Sequence, residues 1–228
     1  MGGEITGGAI AAGAMALIAA LVWQRNAQRE FAARRAAIFD DCRTLLQGSG
    51  QIDPGSDYPL LRGTYRDSNL LLQPLLDHVG YRKVTSLWLV LTLNKPMPVD
   101  GTLDILFRPA NIEFFSRIEQ LPQRIYLSEE WPAHHMARIS SAHWQPPLEL
   151  LHAALGDALD STDLKEIVLS PRGIRLVVRV CGVERGHYMV LRSMLPEVER
   201  IPPDWLRYWL DTLLTVAATA ESDTREAA

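Results

Sequence analysis

The chain has 228 residues, 47% of them hydrophobic and 22% charged, the composition of a folded protein with room for one domain of ordinary size. The net charge is −4, and residues 1–48, with five arginines against four acids (+1), leave −5 on the remainder. A duplex-binding surface needs the opposite sign, so no nucleic-acid partner is expected.

From Ile5 to Trp23 there is no charged residue, and Ala, Ile, Leu, Val, Met and Gly dominate. These nineteen residues, at about 1.5 Å each, span about 30 Å as a helix, the thickness of a hydrocarbon core. Trp23 ends the run where an indole would sit among headgroups, and Arg25, Arg29, Arg34 and Arg35 follow, whereas the N-terminal flank holds only Glu4. A cleaved signal peptide would put its basic residues first. An N-myristoylation pattern at Gly2 would be redundant beside a spanning helix. The segment predicts a single-pass anchor in a cell membrane, N-terminus outside and the following chain in the cytoplasm by the positive-inside rule. Gly8, Ala12, Ala16 and Ala20 recur every four residues, a spacing that lets two membrane helices approach and self-associate, and one that alanine-rich helices also make by chance.

Residues 24–47 read as a continuing basic helix with a thin apolar edge (Phe31, Ile38, Cys42, Leu45, Leu46), and 48–57 as a Gly/Ser linker. The expected organisation is an anchor at 1–23, a juxtamembrane helix and linker at 24–57, a soluble α+β domain at 58–220 and a flexible tail at 221–228. Cys42 and Cys181 are too few and too far apart for a disulfide framework and suit a reducing compartment. Arginine outnumbers lysine 20 to 3, as a GC-rich coding bias produces, which points to a bacterial source and its inner membrane.

Within the domain, Tyr58–Arg66 and Asn69–Leu76 read as strands about a turn at Asp67-Ser68. Thr85–Leu93, with Leu87, Leu89, Leu91 and Leu93 alternating, and Thr102–Arg108, with Leu103, Ile105 and Phe107 alternating, read as a hairpin. Asn111 is placed to cap a short helix striped by Phe114, Phe115, Ile118 and Leu121. Short strands follow at Arg124–Leu127 and Ala137–Ser140, then a helix from Pro147 bearing Leu148, Leu151, Leu155 and Leu159. Leu164–Leu169 and Ile174–Val180 flank the turn Ser170-Pro171-Arg172-Gly173, and His187–Ser193 would complete a meander. Asp204–Ala218 is a helix whose apolar face is Leu206, Trp209, Leu210, Leu213 and Val216. Strands in runs with helices between them predict an α+β fold of mainly antiparallel sheet, helices on one side.

The phosphate-loop, dinucleotide, nucleophile-elbow and zinc-protease motifs are all absent, so no catalytic residue, cofactor or metal is assigned. His134, His135 and His143 are the nearest approach to a zinc set, but adjacent strand residues point opposite ways. Asp157, Asp160, Asp163 and Glu166 lack calcium-loop spacing and read as a solvated helix end. Cys181 and His187 suggest a thiolate–imidazole pair, against which Cys181 follows a buried-looking strand. Trp88 reads as core; Trp131 and Trp144, in Pro-flanked loops, are candidates for a partner surface. The expected function is a membrane-tethered, non-catalytic interaction or assembly domain with a membrane-protein partner. Its rivals are a membrane-surface enzyme built from scattered residues, which needs a pocket of perturbed titratable groups, and a binder of a lipid or small apolar ligand, which needs a cavity.

Overall fold

The computed structural model describes the backbone of residues 3–52, 58–77, 86–109, 113–182 and 200–226, with the side chains of 3–14, 16, 31, 51, 182 and 223–226 outside that description. Among the described residues nine strands form one antiparallel sheet: β1 (Gln47–Ile52), β2 (Leu60–Tyr65), β3 (Ser68–Leu76), β4 (Ser86–Leu93), β5 (Leu103–Phe107), β6 (Gln123–Ile125), β7 (His135–Ile139), β8 (Leu164–Ser170) and β9 (Gly173–Gly182). The helices are α1 (Gly3–Ala36), α2 (Leu148–Leu155) and α3 (Pro203–Glu226). The spatial order is β1-β2-β3-β4-β9-β8-β5-β7-β6.

The alternating leucines of β4 all lie on one face and are fully buried, as are Leu103, Ile105 and Phe107 of β5 and Ile174, Leu176 and Val178 of β9. Onto this inner face pack α2, through Leu151 and Leu155, and α3, through Leu206, Trp209, Leu210, Leu213 and Val216. The helices therefore cover one side of the sheet, as their periodicity predicts. α3 runs on past Ala218 to Glu226, into the expected tail, because Ala220 is still buried and Glu221 pairs with Lys95 at 2.5 Å.

Four local expectations change. The basic helix stops at Ala36, and after a 3₁₀ turn at Asp40–Leu45 the presumed linker becomes β1. Gly63 on β2 makes that possible, since a Cβ there would lie 2.8 Å from Leu46 Cβ. Ile38, Phe39, Cys42 and Leu46 are core residues, with Cys42 donating to the Ile201 carbonyl at 3.0 Å, so packing begins well before Tyr58. β4 and β5 do not pair with each other; the β8–β9 hairpin inserts between them, β9 against β4 and β8 against β5. Since β9 has β8 on its other edge, no third meander strand flanks it among the described residues; 187–193 lies outside them. The Phe114–Leu121 helix is instead a loop with a 3₁₀ turn at Ile118–Gln120, and its cap Asn111 lies outside the described residues.

The turn between β2 and β3 is at Arg66-Asp67, both with positive φ (45° and 62°), the geometry that matches strand twist in a two-residue hairpin. The spanning helix expected at 5–23 is not supported as such: among the described residues no helix is long and apolar enough to cross a membrane. The side chains of 5–14 and 16, most of that segment, lie outside the description.

Candidate functional site

The sheet's other face is built differently. On β4, β5, β8 and β9 the residues between the buried leucines are Thr92, Val90, Asp104, Leu106, Glu166, Val168, Arg175 and Val177. Register brings them into two cross-strand rows, Arg138–Asp104–Val168–Arg175–Thr92 and Met136–Leu106–Glu166–Val177–Val90. Phe115 and Ile118, from the loop after β5, lie over the second row and close a small apolar cluster with Val90, Leu106 and Val177. The loop thereby shuts charged side chains away from water: Asp104 is 2% exposed and Glu166 0%.

A buried carboxylate is costly unless paired. Arg175 Nη2 donates to Glu166 Oε2 at 2.7 Å. Burial pushes the Asp104 carboxyl, diagonally across the strand pair, up to about 8, the Glu166 charge adding to the rise and Arg175 opposing it. Burial also raises Glu166, against the pull of Arg175. Near neutrality the arrangement is an acid–carboxylate pair holding a proton, with one arginine in contact. It is only half satisfied: among the described residues Asp104 Oδ1, Glu166 Oε1, Arg138 Nε and Arg175 Nε have no hydrogen-bond partner. Native interiors rarely leave such a cluster of polar atoms unpaired.

Beside the pair opens a cavity of about 570 Å³, a size that suits a small ligand. Asp104 and Arg175 line it, with Arg117 and Gln120 from the loop and Arg172 from the β8–β9 turn. The Arg117 and Arg172 guanidinium groups make no ion pair or hydrogen bond among the described residues, and both side chains are exposed. The turn carries the rim close to β4: Gly173 has φ 146°, and a Cβ there would lie 2.0 Å from the Leu93 carbonyl oxygen.

The residues singled out in the sequence fall elsewhere, with one exception. His135 sits on β7 with Nδ1 2.7 Å from the Pro132 carbonyl, His134 lines a separate cleft of about 370 Å³ with Arg108, and His143 is exposed in a later turn. Asp157 and Asp160 are exposed, and Asp163 pairs with Arg179 at 3.1 Å. Only Glu166 of that acidic set belongs to the site. No group of three His, Cys, Asp or Glu residues among the described residues converges as a metal site would. Burial raises both thiols, Cys42 and Cys181, to about 11, and His187 lies outside the described residues. Trp131 is core, stacked on Phe107 with His152 at its edge, and Trp144 packs against the core above Gly101. Trp88 stands on the outer face against Phe115. Of the small-residue strip, Gly8, Ala12 and Ala16 lie outside the described side chains and Ala20 is exposed.

Asp104 escaped the sequence reading. Its signal was an acid enclosed in Leu103-Asp-Ile-Leu-Phe107, where every other residue is apolar.

No protein-family model matches this chain, and no curated protein matches it. Among solved structures, the crystal structure of the mycobacterial trehalose monomycolate transport factor A, TtfA, aligns with 70% of this chain and 67% of its own, at 10% identity and a TM-score of 0.32. A likeness that distant transfers nothing to this chain.

Proposed function

We propose that the chain is a membrane-tethered binding protein, in which α1 enters the bilayer and the sheet domain presents its outer face to a ligand or partner there. The observation that supports it is the state of α1. Residues 17–30 are all exposed, and Met15, Leu17, Ile18, Leu21, Val22 and Trp23 are six of the eleven large apolar side chains left uncovered among the described residues. These side chains lie around the helix rather than along one stripe, so no single face of a soluble partner covers them, whereas a lipid environment does. They continue a stretch without charge from Ile5 and end at a run of arginines, which favours an N-out, C-in orientation.

Floating the full-length protein with lipid vesicles tests the tether. The wild-type chain is expected to float and to resist extraction at alkaline pH. Leu17→Arg with Leu21→Arg adds about 2.5–3.5 kcal/mol per residue to insertion and should shift the protein to the soluble fraction with its fold intact. A wild-type chain that stays soluble would overturn the reading.

The rival of an enzyme at the membrane surface draws on the Asp104–Glu166 pair, since a neutral acid beside a carboxylate is what general-acid chemistry uses. Binding is favoured because the cations lining the cavity form a receptor.

A further inference from the structure

We infer that the outer-face cavity binds a small anion with an apolar body, its phosphate or carboxylate head held by Arg117 and Arg172 and its chain lying against Leu121, Val168 and Pro171. Three arginines line the cavity. Arg175 is neutralised by Glu166 at 2.7 Å, and Asp104 is held protonated by burial, so the two remaining guanidinium groups leave the cavity with a positive charge. Guanidinium groups recognise carboxylate and phosphate through paired hydrogen bonds. Both arginines sit on mobile-length side chains at the mouth, on two different segments, so one anion between them bridges the loop to the β8–β9 turn.

Asp104 supplies the second, independent observation. It is the deepest polar residue of the lining, 2% exposed, and its Oδ1 has no hydrogen-bond partner among the described residues. As a neutral acid it leaves a ligand anion unopposed; as a carboxylate it repels one. The groups facing it are Glu166 on β8, Arg175 on β9, Arg138 on β7 and Arg117 from the overlying loop. The change in the site's charge with pH falls on the Asp104–Glu166 pair. Its carboxyl titrates near 8.

The test is calorimetric titration of the full-length protein in neutral detergent with hexyl phosphate, inorganic phosphate and dihexanoyl phosphatidate. Hexyl phosphate should saturate one site, and inorganic phosphate should bind more weakly because it lacks the chain. Arg117→Gln with Arg172→Gln should weaken hexyl phosphate at least tenfold and leave the unliganded melting temperature unchanged. From pH about 7.5 to 9.5, above the second phosphate ionisation, wild-type affinity should fall, and Asp104→Asn should bind with that fall abolished. Tighter phosphatidate assigns the head to a lipid, tighter hexyl phosphate to a soluble amphiphile. No saturation by any probe, or an unaltered affinity in the double arginine variant, overturns the inference. Titration in detergent does not depend on the tether, so its failure is separate from a failure to float.

Discussion

The two faces of the central strands are both buried, by opposite means. Along β4, β5, β8 and β9 the inner face is Leu, Ile, Val and Phe under two helices, and its atoms need only contact. The outer face alternates those residues with Asp104, Glu166 and Arg175 under one short loop, and its atoms need partners that the chain only partly provides. Contact is non-directional and tolerates rearrangement, whereas a desolvated charge depends on one neighbour in one geometry. The inner face carries the apolar core of the fold; the outer face carries the cavity.

The largest expected effect lies on the inner face. Trp209 is 1% exposed and meets Trp205 and Tyr208 edge to face. Trp209→Ala should cost about 3–5 kcal/mol in chemical denaturation, enough to unfold a marginal domain. A loss below about 1 kcal/mol would mean that α3 is docked rather than integral to the core.

On the outer face the same magnitude arises from charge. Arg175→Leu strands Glu166, which is fully buried, and should cost about 3 kcal/mol, while Arg175→Leu with Glu166→Leu should recover most of it. The double variant is the sharper probe: equal costs for single and double would make the pair ordinary packing. At the rim, Gly173→Ala should cost about 1 kcal/mol or more, because a Cβ meets the Leu93 carbonyl and φ is 146°.

The pH dependence is the most specific effect. The Asp104 carboxyl titrates near 8 when folded and near 3.8 when free, so the folded state holds a proton that the unfolded state has lost across that window. Its contribution is complete below about 4 and declines as pH rises towards 8. Wild-type stability should therefore fall over that range, and Asp104→Asn should flatten the fall, as read from denaturation midpoints at each pH.

The inner face was readable from sequence and the outer face largely was not. The alternation of Leu87, Leu89, Leu91 and Leu93, and the Leu206–Val216 stripe, encode burial directly because side-chain period and face coincide. Strand order did not follow from adjacency: β4 and β5 look like a hairpin, but their partners come from β9 and β8 some 60 to 96 positions later in the chain, and alternation does not name a partner. β1 was hidden because Gln-Gly-Ser-Gly lacks any strand propensity and pairs by backbone alone. Glu166 read as part of a solvated helix end and Asp104 was not singled out; their burial comes from a loop whose Phe115 and Ile118 carry a helical spacing but fold without one.

Amide hydrogen exchange of the full-length protein, with and without hexyl phosphate, tests most directly whether the two faces have separate roles. The account predicts added protection confined to the cavity segments around Thr92–Asn94, Thr102–Asp104, Arg117–Leu121 and Ser170–Arg175, with α2 and α3 unchanged. Protection on α2 and α3 in place of those segments, or none anywhere, would contradict it.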